Sequence, residues 1–224
     1  MLLELPGILG EGALARVHEL LEQARFVDGR LSAGLAARRV KHNREVDGNA
    51  PELAELNQLV MGGLVRHPRF KSAVLPLRVA TAYYARYGSG MNYGDHVDDP
   101  VMGAPGSQYR SDVSATVFLS APEACEGGEL VINTAFGPHP VKLAAGAAVV
   151  YPSSSLHHVN PVIAGERLVA VTWIQSMVRS PEQRELLDGL NLAREKMLRD
   201  APDAEETKRV DVAYVNLVRM WSEV

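Results

Sequence analysis

Between residues 91 and 100 the chain reads MNYGDHVDDP, which gathers Asp95, His96, Asp98 and Asp99 just after a strand-like run. On a strand or strand end, His96 and Asp98 share one face while Asp95, Val97 and Asp99 take the other. His-x-Asp then brings one imidazole and one carboxylate to the same small volume. That is two-thirds of a two-histidine-one-carboxylate triad, the ligand set that leaves positions open on iron(II). The third ligand has to come from a later strand, and YPSSSLHHVNP offers His157 and His158. Only one of two consecutive strand residues can face a metal, and apolar neighbours on both sides leave the parity undecided.

Arg167 opens the run RLVAVTWIQS, across a turn at Ala164–Gly165 from the two histidines. A hairpin of that length sets Arg167 near His157 but deeper in the fold. An arginine aimed into an interior of valine, leucine and tryptophan is costly unless an anion accepts its charge. Guanidinium is shaped for a bidentate pair with a carboxylate. A dicarboxylate that chelates the metal at one end and reaches Arg167 with the other meets both demands.

Other motifs read as scaffold. In EGGEL, Gly127–Gly128 predicts a strand-entry turn and Glu129 a structural acid. Cys125 reads as a partly buried spectator, and the basic stretch GLAARRVKHNREV as a solvated face near the site mouth.

The elements that must hold these residues separate by period. Val17, Leu20, Leu21 and Ala24 line one predicted helix, and Leu53, Leu56, Leu59, Val60 and Leu64 a second. From Leu77 to Gln175 short β-rich runs alternate with glycine- and proline-rich turns, which predicts a jelly-roll sandwich or barrel. In SPEQ, Ser180 is placed to cap a helix, with Pro181 in its first turn and Gln183 completing a capping box. Leu186, Leu190, Ala193 and Met197 then mark one stripe, and Val210, Tyr214, Leu217, Val218 and Trp221 another. This C-terminal helical hairpin has to bury its stripes on the barrel or on a second copy of the chain in a homodimer. The expected organisation is an N-terminal helical and strand region over 1–76, a β core over 77–178 and the hairpin over 179–224.

The chain has 224 residues, 46% of them hydrophobic and 22% charged, with a formal net charge of −4. That balance suits one sizeable folded domain and offers no general attraction to nucleic acid or acidic membranes. No apolar run approaches the ~20 residues of a membrane span. A single cysteine and an opening without a basic n-region point to a cytoplasmic protein.

Taken together, YGDHVD, SATVFLS, GGEL, YPSSSLHHVNPV, GER and WIQS resemble the PKHD-type hydroxylases. These are bacterial relatives of the prolyl and lysyl hydroxylases, within the iron(II)- and 2-oxoglutarate-dependent dioxygenases. The likeness runs through nearly the whole chain, including FVDGR at 26–30 and the closing WSE. It implies a double-stranded β-helix core, mainly β with flanking α. It also implies iron held by His96, Asp98 and His157, with 2-oxoglutarate anchored by Arg167. Tyr87 is similar to a pocket tyrosine of related hydroxylases and is expected as a second contact to 2-oxoglutarate. L-ascorbate is the implied reductant. The implied substrate is a protein side chain, a peptide or a siderophore-like small molecule, hydroxylated with release of succinate and CO2. VKHNREV departs from relatives that carry more asparagine and glutamine there. Two other readings use the same residues: a non-catalytic iron and 2-oxoglutarate sensor, and a cupin-like metalloenzyme that does not use 2-oxoglutarate.

Overall fold

Strict alternation in Val113–Phe118 sends Val113, Ala115 and Val117 to one side and Ser114, Thr116 and Phe118 to the other. The neighbouring strand Arg167–Ser176 does the same with Leu168, Ala170 and Ile174 against Arg167, Val169, Val171 and Trp173. One face of the sheet therefore meets helices, while the other looks into a cavity. The structure, a computed structural model, describes residues 1–224.

Seven strands run in the order Leu3–Leu5, Ala148–Pro152, Val113–Phe118, Arg167–Ser176, Tyr83–Tyr87, Arg44–Val46 and Phe26–Asp28. Pro76–Val79 adds an eighth by pairing with Arg167–Ser176. A second sheet runs Gly137–Val141, Leu130–Thr134, His157–Val159, Asn92–His96 and Lys41–His42. The two antiparallel sheets make a jelly roll, the double-stranded β-helix expected from the sequence. Residues 41–46 pass from one sheet to the other: Lys41 pairs with Tyr93, and Arg44 with Arg86. That crossing closes one side of the roll.

Helices α1 (Glu11–Gln23) and α2 (Leu53–Arg66) cover the outer face of the larger sheet. Val17, Leu20 and Leu21 of α1 and Leu56, Val60 and Leu64 of α2 are buried, as their spacing predicts. They join Tyr84, Ala115, Val150, Ala170 and Ile174 in the main core. Each large side chain buried there contributes roughly 1.5–3 kcal/mol. A second cluster, including Phe118, Leu130, Ile132, Val159 and Val169, fills the space between the sheets.

Helix α3 (Pro68–Val74) leads into the first long strand, and α4 (Pro181–Asp200) and α5 (Glu205–Trp221) form the C-terminal hairpin. Ser180 caps α4 by accepting from the Gln183 backbone N–H, and its hydroxyl donates to Glu182; the expected return bond from the Ser180 backbone N–H to the Gln183 side chain is not formed. The stripe on α4 also differs from the expected one. Arg184, Leu187, Asp188 and Asn191 are buried, whereas Leu186 is largely exposed. Polar anchors set this rotation. Arg69 forks onto Asp188 at 2.5 and 2.9 Å, and Arg184 donates to the Val178 carbonyl at 2.7 Å. On α5 the expected Tyr214, Leu217, Val218 and Trp221 pack against Leu75, Val178 and Leu187. No helix is long and apolar enough to cross a membrane.

Candidate active site

His96 ends its strand and His157 begins the neighbouring one, and the two are directly paired. Their ring centroids lie 4.2 Å apart. The chain leaves the sheet after His96, so strict alternation stops there: Asp98 folds back beside the imidazoles, and Val97 and Asp99 line the cavity mouth. Both Nε2 atoms stand 3.9 Å from Asp98 Oδ1. One ligand atom from each residue fits within 4.8 Å of the others.

Hydrogen bonds fix the orientation of all three. His96 Nδ1 donates to the Gly94 carbonyl at 2.8 Å, and His157 Nδ1 to the Ser155 carbonyl at 2.9 Å. Because a carbonyl only accepts, the proton sits on Nδ1 and leaves each Nε2 lone pair facing Asp98. Burial, reinforced by the neighbouring His157, lowers the His96 imidazole to about 4, so the ring is neutral near pH 7. The second oxygen of Asp98 accepts from Ser114 Oγ at 2.5 Å, and Ser114 Oγ lies 2.8 Å from Ser153 Oγ. Tyr93 stacks on His96 with a centroid distance of 3.6 Å, and Tyr151 meets His157 edge-on at 5.1 Å. Two imidazoles held in place through Nδ1, with both Nε2 atoms turned to one oriented carboxylate on the wall of a cavity, suit a divalent transition metal with open positions.

His158, the other half of the pair, points outward and meets Asp95 at 2.8 Å. Strand alternation separates the two histidines, so His157 alone joins His96 and Asp98.

The cavity is about 660 Å³ in volume, and Arg167 lines it together with the three residues just described. Arg167 pairs across the sheet with Tyr87, and its guanidinium carbon lies 5.0 Å from the Tyr87 ring centroid. Its Nε and Nη1 are buried with no hydrogen-bond partner in the protein. Burial lowers the guanidinium from its ordinary value and lifts the Tyr87 hydroxyl to about 12. Gly128 makes room for the arginine stem: with φ at +70°, a Cβ there would stand 3.3 Å from Arg167 Cδ. The paired glycines thus do more than turn the chain. A buried cation without a counter-charge is unfavourable, and an anionic carboxylate is the group that would relieve it. The donor set and the orphaned guanidinium together fit a metal ion and a dicarboxylate.

The basic stretch read as a solvated face is only half so. His42 and Arg44 are exposed, but Lys41, Asn43 and Glu45 are buried and line the cavity. Lys41 Nζ meets Glu45 Oε1 at 2.5 Å, and Ser32 Oγ donates to Glu45 Oε2 at 2.6 Å. Polar residues fall on both faces of this segment, so its sequence does not separate the inward Lys41, Asn43 and Glu45 from the outward His42 and Arg44. Tyr93, Ser114, Ser153 and Tyr151 were also missed. Ser114 had a signal, since alternation in SATVFLS puts it on the face opposite Ala115.

The signature of the 2OG-Fe(II) oxygenase superfamily matches residues 82–175. A PKHD-type hydroxylase of Thioalkalivibrio sulfidiphilus is 54% identical over 224 residues, covering 100% of both chains. Another, from Stenotrophomonas maltophilia, is 45% identical over 225 residues, again covering 100% of both. Among solved structures, a Trichoplax adhaerens prolyl hydroxylase in complex with a hypoxia inducible factor peptide fragment superposes with a TM-score of 0.59. The alignment is 17% identical and covers 83% of this chain and 86% of that one, a likeness of fold.

Proposed function

This chain belongs to the PKHD-type hydroxylases of the 2OG-Fe(II) oxygenase superfamily, and from that premise we propose how its cavity works. It is an iron(II)- and 2-oxoglutarate-dependent dioxygenase. His96 Nε2, His157 Nε2 and Asp98 Oδ1 are the iron ligands, and Arg167 pairs with the far carboxylate of 2-oxoglutarate, with Tyr87 beside it. When bound, iron and 2-oxoglutarate supply oxygen activation, with succinate and CO2 released as a C–H bond of the substrate is hydroxylated.

The chain's own part is positioning. The Gly94 and Ser155 carbonyls hold both imidazoles in the ligating tautomer, and Ser114 fixes the free oxygen of Asp98. Tyr93 and Tyr151 wall the histidines with aromatic surface that keeps water from their flanks. The substrate is a protein side chain, a peptide or a siderophore-like molecule entering past Asp99, and ascorbate keeps the iron reduced.

The observation that carries this reading is the Arg167 guanidinium, buried and unpartnered in the cavity that also holds the triad. The test is to admit oxygen to protein loaded with iron(II), 2-oxoglutarate and ascorbate, with candidate substrates, and to count succinate. Succinate exceeding the protein concentration, with Arg167→Ala needing far more 2-oxoglutarate, is the expected result. Bound iron with no succinate for any candidate, or Arg167→Ala indistinguishable from the parent, contradicts it.

A further inference from the structure

Arg44 and Glu45 pair with Arg86 and Ala85, and continuing that register by one residue sets Asn43 opposite Tyr87. Tyr87 is in turn opposite Arg167. Asn43, Tyr87 and Arg167 therefore occupy one row across three adjacent segments, each lines the cavity, and each is only 3% exposed. Two members of the row are left unsatisfied. Arg167 lacks partners at Nε and Nη1, and Asn43 at both Oδ1 and Nδ2.

A buried carboxamide with no partner is uncommon and costly, so its surroundings matter. The adjacent charges do not relieve it, because Lys41 and Glu45 are committed to each other and to Ser32. Its place depends on a missing side chain: a Cβ on Gly29 would stand 1.9 Å from Asn43 Oδ1. With the oxygen packed against Gly29, the carboxamide sits beside the Tyr87 hydroxyl, which it helps draw back down against the effect of burial without reaching hydrogen-bonding geometry.

We propose that Asn43 is a further binding residue for 2-oxoglutarate, its Nδ2–H donating to the carboxylate that Arg167 anchors, alongside the Tyr87 hydroxyl. The inference rests on the assignment of Arg167 as that anchor. A bidentate guanidinium pair uses one lone pair on each carboxylate oxygen and leaves the others free. The neutral donors of the row are Tyr87 and Asn43, and a neutral donor adds a hydrogen bond without adding another charge to desolvate. The row thus explains why a segment rich in charge places an amide at its centre.

The test is calorimetric titration of 2-oxoglutarate into the metal-loaded full chain without oxygen, comparing Asn43→Ala, Asn43→Asp, Gly29→Ala and Arg167→Ala. Loss of a hydrogen bond to a charged group predicts at least about tenfold weaker binding for Asn43→Ala. Asn43→Asp, of the same shape but repelling a carboxylate, should be weaker still. Gly29→Ala should reproduce the loss by displacing an unaltered Asn43. Metal affinity and the melting temperature of Asn43→Ala should stay at or above those of the parent. Unchanged 2-oxoglutarate binding in Asn43→Ala, with binding lost in Arg167→Ala, overturns the role of Asn43 alone. Equal weakening in Asn43→Ala and Asn43→Asp with lowered melting temperatures also overturns it, because a structural role would do that. If Arg167→Ala binds as the parent does, the anchor assignment fails and this inference with it.

Discussion

Arg167 and Tyr87 face each other across adjacent antiparallel strands, with 5.0 Å between the guanidinium carbon and the ring centroid. The ring offers the cation some compensation, roughly 2 kcal/mol when desolvated, well short of what a counter-ion gives. The ligand-free protein therefore carries a built-in destabilisation at this point. Arg167→Met, similar in length and uncharged, should raise the melting temperature of the ligand-free protein, a gain of about 1–4 kcal/mol. The same variant should lose the extra stability that 2-oxoglutarate confers on the parent. Thermal melting with and without 2-oxoglutarate checks both halves.

Ser114 is expected to matter for metal binding although it is no ligand. Its hydroxyl fixes one Asp98 oxygen and so leaves the other aimed at the histidines. Removing such a support typically weakens metal affinity 10–100-fold. Ser114→Ala should show that loss in a competition titration with a chelator, and an unaltered affinity would mean Asp98 holds its orientation unaided.

The adjacent histidines should behave as opposites. His157→Ala should abolish stable iron binding, whereas His158→Ala removes contacts with Asp95 and Asn160 away from the triad, the partly exposed Asp95 pair being worth about 0–1 kcal/mol. Metal content after desalting distinguishes them. Similar losses in both variants would contradict the orientation of this strand.

The Lys41–Glu45 pair is buried on both sides. Glu45→Ala strands the ammonium and should cost about 3–5 kcal/mol, while replacing both partners with apolar residues of similar volume should be near neutral. Denaturant unfolding of the two variants reads the difference directly.

The parts of this architecture that follow a simple period were legible in the sequence. The α1 and α2 stripes at Val17, Leu20, Leu56 and Val60 and the β run from Tyr83 to Ser176 follow from hydrophobic spacing. His96 and Asp98 stood out because alternate residues share a strand face, and Arg167 because a guanidinium is expensive in a barrel interior. Choosing His157 over His158 required the family resemblance, and the paired strands separate the two. What stayed hidden depends on long-range partners. The face of α4 is set by Arg69, more than a hundred residues away in sequence from Asp188. The inward face of residues 41–45 is set by two sheets that only meet in the fold. Local composition carries neither contact.

The central claim is that one cavity joins a metal at His96, Asp98 and His157 to a dicarboxylate held at Arg167. Its most direct test is anaerobic titration of 2-oxoglutarate into the iron(II)-loaded protein, followed by the weak visible absorption band of the chelate. A band that saturates at one equivalent, and that needs much higher 2-oxoglutarate in Arg167→Ala, is the predicted result. Bound iron with no band at any concentration of 2-oxoglutarate would contradict the account.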